Sequence, residues 1–177
     1  MTVPKPSSRE RILDSYENIL SERGPVEITL DAVAAHAGVS KGGLLYHFGS
    51  KDALRDGLLD RMTQRTAEDV DNARHAPEGV VRYFLRTAIT DATPKHPLHR
   101  TTMATLRLAL NDPRATEVMH RGTTAYRDLL NEHIDDPLTA ELVLLVGDGL
   151  YMRSALGEAN TTTLLARIGE IANRLNA

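Results

Sequence analysis

The chain has no cysteine. A disulfide framework and a thiolate zinc site are therefore excluded, and nothing points to an oxidising compartment. No apolar run approaches the ~20 residues of a membrane span, and the opening segment, Met1 to Ser8, is polar and Pro-containing rather than a charged stretch leading into an apolar one. Neither a membrane protein nor a secreted one is expected, and the cytoplasm is the default. An excess of positive charge is also missing, since 21 Lys and Arg face 24 Asp and Glu for a net charge of −3. On its own that balance argues mildly against a nucleic-acid binder. No nucleophile elbow, phosphate-cradling Gly-rich loop or H-E-x-x-H helix occurs, so an enzyme has no motif to stand on and no cofactor is implied.

What is present is a foldable composition: 177 residues, 41% hydrophobic and 25% charged. That is enough for one core, or for a small module fused to a larger one. Helix signals recur along the chain. Ser7 with Glu10 forms a capping box ahead of Ile12, Leu13, Tyr16, Ile19 and Leu20, which share a helical face over Ser8 to Arg23 and end at Gly24-Pro25. Thr29 caps a short helix from Leu30 to His36, Gly38 forces a turn, and Ser40 caps another from Lys41 to Phe48. Ser50 opens a long fourth helix, about residues 51–75, with Leu54, Leu58, Leu59 and Met62 on one face. Pro77-Glu78, Pro97, Asp112-Pro113 and Asp136-Pro137 each open another helix, ending near Thr90, Leu110, Ile134 and Gly157. Asn160 or Thr161 caps a last one, to Leu175. No alternating strand pattern appears. The expectation is an all-α, nine-helix, two-domain protein, with a module at 7–52, a helical domain at 53–177 and the fourth helix bridging.

Charge is sorted locally even though it balances overall. Residues 1–51 hold six Lys or Arg and six Asp or Glu, yet from His36 to Lys51 there are two Lys, two His and no acid. This cationic stretch coincides with the paired short helices. Two such helices locked by small residues (Ala34, Ala35 and Ala37), a glycine turn at Gly38, and Val39 and Leu44 to plug the core are what a helix-turn-helix requires. Two glycines, Gly42 and Gly43, in the first turn of the second helix cost about 1 kcal/mol each against Ala. Backbone that must come close to a base edge or phosphate supplies a reason. Lys41 adds a donor for phosphate or guanine.

The run Leu30-Asp31-Ala32-Val33-Ala34, then Gly38-Val39-Ser40-Lys41-Gly42, Leu45-Tyr46-His47-Phe48 and Ser50-Lys51-Asp52-Ala53-Leu54 resembles the TetR family of bacterial regulators. The motif-level similarity covers about residues 8–62. The resemblance implies that Lys41 and Gly42 reach base edges, that Thr29, Tyr46, His47 and Lys51 hold flanking phosphates, and that Phe48 is core. With the capping Ser40 and Gly43, these form the expected DNA-binding set. Leu45 departs from the pattern, standing where many members carry a phosphate-contacting Tyr.

The second half is read by faces. Ala140 to Leu156 is apolar on more than one side and must be buried on several. With the last helix it can build a four-helix dimer interface, for which Leu142, Leu145, Leu150, Leu164, Ile168 and Ile171 are the candidates. A two-fold dimer is also what a short recognition helix needs to read enough bases. Met103, Leu106, Tyr126, Tyr151 and Met152 can line a cavity for a small-molecule effector, although Met at helical spacing is also ordinary core. Asp148, an acid in an apolar helix, can meet a cationic ligand, pair with Arg153 or another basic residue, or sit at the solvent edge near the interface. The run Gly147-Asp148-Gly149-Leu150 resembles multidrug-sensing members of the family. His96, His99 and His120 have no carboxylate at a spacing that would complete a metal site, so solvated or capping histidines are expected.

The expected function is a homodimeric repressor released from a palindromic operator by a small-molecule effector. A helical dimer that binds ligand or protein but no longer DNA is the alternative, and an activator would use the same module.

Overall fold

The computed structural model describes residues 6–23, 28–158 and 160–175, apart from the side chains at 23 and 160–162. Among these residues there are helices and no strand. Ten helices follow one another: α1 (Ser8–Arg23), α2 (Leu30–Ala37), α3 (Lys41–His47), α4 (Lys51–Arg74), α5 (Val80–Thr90), α6 (Pro97–Ala109), α7 (Pro113–Asn131), α8 (Pro137–Ala155), α9 (Asn160–Ala166) and α10 (Ile168–Leu175).

The starts follow from the caps. Ser7, Thr29, Ser40 and Ser50 each accept, through the side-chain oxygen, the N–H three residues on, at 3.0–3.2 Å. Asp136 does the same for Leu138 and Thr139 ahead of Pro137. Gly38, at φ 64°, closes α2, and Val39 N–H returns to the Ala34 carbonyl at 3.0 Å.

The end of α7, at Asn131 rather than near Ile134, the start of α5 and the last helix differ from the sequence expectation. Pro77-Glu78 does not open α5. The chain turns once more, and Gly79, at φ 86° and without a side-chain cap, precedes the first helical residue, Val80. The last expected helix is two, because at Arg167 the hydrogen bonding tightens to i→i+3, with Arg167 N–H on Leu164 O and Glu170 N–H on Arg167 O. The Gly24-Pro25 stop and the capping side chains of Asn160 and Thr161 lie outside the described residues.

The chain forms two compact units, Met1–Thr63 with Arg100–Met119, and Gln64–His99 with His120–Ala177. In the first, α1 packs on α2 and α2 on α3. The core of this unit gathers Ile12, Leu13, Tyr16, Leu20, Val33, Leu44, Phe48, Leu54 and Leu58. At Gly57 a Cβ would lie 2.6 Å from Phe48 Cε1, so glycine is what lets the ring of Phe48 pack on α4. Burial pushes the Tyr16 phenol up to about 12.

A buried polar cluster crosses the same unit. Arg61 donates to Glu17 at 3.0 Å, Asp14 at 2.8 Å and Glu10 at 2.6 Å, and the Thr101 hydroxyl donates to Glu17 at 2.7 Å. Burial works against the guanidinium, but Glu17, Glu10 and Asp14 outweigh it and raise its pKa. Asp112 is similarly held: burial opposes its charge, while Arg114 and Arg55 overcome that and keep the carboxyl below its usual range.

In the second unit α5 packs most extensively on α8, with α10 against α5. Phe84, Leu85, Leu129, Leu130, Val143, Leu144, Leu150 and Ile168 form its core. The close approach of α5 and α8 depends on Gly147, where a Cβ would fall 2.6 Å from Phe84 Cζ.

Candidate nucleic-acid interface and ligand-facing residues

The helix pair α2–α3 separates its side chains by face. Leu44 and Phe48 point inward and are buried, while Lys41, Gly42, Leu45, Tyr46 and His47 are exposed. Tyr46 is the extreme case, a large aromatic left 86% exposed and touched by the edge of the His47 ring at 5.2 Å between centroids. Thr29, Ser40 and Lys51, at the starts of α2, α3 and α4, are exposed as well. Gly43 is half-buried. All eight residues expected to meet DNA thus belong to the first unit, and none is buried.

The two glycines of α3 are not equivalent. A Cβ on Gly43 would press to 3.2 Å on the Ser40 oxygen that caps the helix, which gives that glycine a reason within the chain. A Cβ on Gly42 would meet only the same oxygen at 4.0 Å. Nothing inside the protein requires glycine there, so the missing side chain leaves room for something outside it.

The residues expected to face a ligand do not share one unit. Met103 and Leu106 belong to the first, and Tyr126, Asp148, Tyr151 and Met152 to the second. Met152 is exposed on α8. The Tyr151 hydroxyl oxygen lies 2.7 Å from Nδ1 of His99, which is buried; burial, with His96 adding, keeps the His99 imidazole below its ordinary pKa. Asp148 is exposed, and its partial desolvation, reinforced by Glu141 and opposed by Arg127, raises its pKa. Arg153, considered as its partner, instead pairs with Glu158 at 2.7 Å.

Tyr126 leads to a carboxylate that the sequence reading missed. Its hydroxyl donates to one oxygen of Asp69, and the Tyr83 hydroxyl donates to the other at 2.9 Å. Phe84 packs on Tyr126 at 4.9 Å between ring centroids. Burial first, and then the Asp69 charge, drive both phenol pKa values upward, so the phenols stay protonated donors. No basic side chain pairs with Asp69 among the described residues. Within the same limits, no group of three or more His, Asp or Glu is placed to hold a metal ion, and no helix is long and apolar enough to cross a membrane.

Comparison with known families decides the class. Residues 12–58 match the family described as bacterial regulatory proteins, tetR family, and residues 78–173 match the tetracyclin repressor-like C-terminal domain. The chain belongs to the TetR family. TetR-family chains are DNA-binding transcriptional regulators, not enzymes, and this chain is one of them.

Among its relatives, an HTH-type transcriptional regulator of Bacillus subtilis, YwcC, is 24% identical over 90% of this chain and 82% of its own length. The HTH-type regulator BetI of Burkholderia cenocepacia is 27% identical over 87% of each. A Mycobacterium tuberculosis HTH-type regulator is 34% identical over 61 residues, 34% of this chain and 30% of that protein. Of solved structures, the multidrug binding protein EbrR in complex with malachite green superposes at a TM-score of 0.73, with 24% identity, over 97% of this chain and 99% of that one.

The apolar residues of this TetR-family chain also sort by exposure. Leu150 and Ile168 are buried in the core of their own unit, and Leu164 and Ile171 are half-buried against it. Leu142 and Leu145 are exposed, in line with Leu138, Met152 and Leu156. Those five positions on and just past α8 are spaced by four, three, seven and four residues, one stripe of a helix.

Proposed function

We propose that this chain works as a homodimeric repressor in the cytoplasm, holding a palindromic operator until a small lipophilic cation releases it. Lys41 and Gly42 read base edges, and Thr29, Tyr46, His47 and Lys51, flanked by Ser40 and Gly43, hold phosphates. The exposure of Tyr46 carries the reading. A tyrosine with its ring in water gains nothing from folding, and one on the same short helix as Lys41 and a glycine the fold does not need gains from a partner.

The test is binding of a labelled duplex, selected by the protein from a random pool, at several salt concentrations. Lys41→Ala is expected to weaken binding of the selected duplex and relax the preference at the base it reads, and Tyr46→Ala to weaken binding by about tenfold. Wild-type binding by both variants contradicts the assigned surface. Failure of the native protein to select any duplex favours a helical dimer that no longer binds DNA.

The dimer is assigned to the α8 stripe. Leu142 and Leu145 are its centre, extended by Leu138, Met152 and Leu156, while Leu164 and Ile171 support it from behind. An exposed apolar row at heptad spacing is the form a helix–helix seam takes. Leu145→Arg, at a position already in water in the single chain, is expected to give a folded monomer by analytical ultracentrifugation, with operator binding lost. A dimer retaining affinity would move the interface elsewhere.

The effector class rests on Asp69. A part-buried carboxylate between two phenols, with no basic partner among the described residues, favours a cation with an aromatic or alkyl body, and the similar EbrR is a multidrug binding protein seen with malachite green. Malachite green is expected to dissociate the protein from its duplex, and Asp69→Asn to raise the dye concentration required by about tenfold. Absence of release by the dye argues against a cationic effector.

A further inference from the structure

The stretch from Ala32 to Lys51 contains no Asp or Glu. The fold nevertheless supplies an acid to it. Asp31, in the first turn of α2, accepts from Lys41 Nζ at 3.0 Å, and both side chains are exposed. Lys41 is the only Lys or Arg of α3, and it is held by a carboxylate ten residues earlier in the chain.

We propose that Asp31 is a specificity-determining residue that acts through Lys41. The inference rests on the DNA-binding reading above and goes beyond it. A free lysine at this place would neutralise whichever phosphate lay nearest, on any sequence, and would add to indiscriminate affinity. Paired with Asp31, it gains little from an ordinary phosphate, because the ion pair is lost as the phosphate contact forms.

An exposed pair is weak, however. It gives way where the groove offers Lys41 both acceptors of a guanine edge, N7 and O6. The carboxylate thus acts as a threshold: Lys41 leaves it for a correct base and remains on it elsewhere. Asp31 also suits the positive end of α2. An acid there would serve the helix without touching Lys41, so the pairing is a separate property.

The experiment compares two duplexes of equal length and composition, one selected from a random pool by the wild-type protein and one scrambled, by fluorescence anisotropy across a potassium chloride series. Asp31→Asn is expected to bind the scrambled duplex about tenfold more tightly, with a log–log salt slope steeper by about two for a dimer, one phosphate per chain. On the selected duplex the change is expected to stay within about threefold. Asp31→Glu keeps the wild-type ratio. In a Lys41→Ala background, Asp31→Asn leaves the ratio of the two affinities unaltered, because the charge it removes no longer acts through a lysine.

An unchanged ratio in the wild-type background overturns the proposal, and so does an equal change with and without Lys41. Both results leave DNA binding itself intact. If the wild-type protein selects no duplex, the DNA-binding reading fails first and this inference with it.

Discussion

Arg61→Ala is expected to destabilise the protein by about 3–5 kcal/mol, the range for stranding one member of a buried ion pair. Glu17 is fully buried, and its Oε1 accepts from both Arg61 and the Thr101 hydroxyl. Without the guanidinium, a carboxylate at 0% exposure loses a charged donor at 3.0 Å, while the Thr101 hydroxyl and Arg100, 3.8 Å from Oε2, remain. It must then either stay charged in a low dielectric or take up a proton. Asp14 and Glu10, both partly exposed, lose less because water replaces their partner. Chemical denaturation measures the loss, and a change under 1 kcal/mol would mean that the cluster is more hydrated than its geometry indicates. The double variant Arg61→Met with Glu17→Leu is expected to recover much of the stability, since exchanging a whole buried pair for apolar groups is far less costly than removing half of it.

The second large effect is expected at Gly147. Alanine adds one methyl group, but it lands on the Phe84 ring, which is itself buried and packed on Tyr126. The ring cannot swing away freely, so α5 and α8 must separate. Overpacking of this kind costs about 1–3 kcal/mol, and the most extensive helix contact of the second unit pays it. Gly122→Ala on α7 is the control. Its Cβ would meet only Thr66, at 3.5 Å, an ordinary contact. There the helix propensity of alanine is expected to stabilise by up to about 1 kcal/mol. Thermal or urea denaturation showing Gly147→Ala as stable as the native chain would contradict the packing described.

These sites mark where sequence reasoning succeeds and where it stops. The caps at Ser7, Thr29, Ser40, Ser50 and Asp136 were legible because each is a bond within three residues, fixed by local chemistry. The turn at Gly38 was legible for the same reason. The Asp31–Lys41 pair joins two helices, the Arg61 cluster spans separations of 44 to 51 residues, and Asp69 meets Tyr126 across 57. No periodicity announces such meetings. The cationic stretch from His36 to Lys51 illustrates the limit. It is free of acid along the chain and still has Asp31 beside Lys41 in space.

Apolar faces were legible only in part. The pattern from Ala140 to Leu156 shows that α8 is apolar on several sides, and the fold then divides them. Val143, Leu144, Gly147 and Leu150 turn into the core, while Leu142, Leu145 and Met152 remain in water. A helix with apolar residues all round does not reveal in its sequence which side meets its own chain. Gly147 carries information of the same kind. Within the Gly147-Asp148-Gly149 run the two glycines look alike, yet a Cβ on Gly147 strikes Phe84 and one on Gly149 meets nothing within 4 Å.

The central claim is that two copies of α3 read two half-sites of one operator. Hydroxyl-radical footprinting of the selected duplex tests it most directly. The account predicts two protected patches on one face of the DNA, centred about one helical turn or a multiple of it apart, roughly 34–36 Å per turn, and both lost together in Leu145→Arg. A single patch, or two that persist when the α8 stripe is broken, would contradict it.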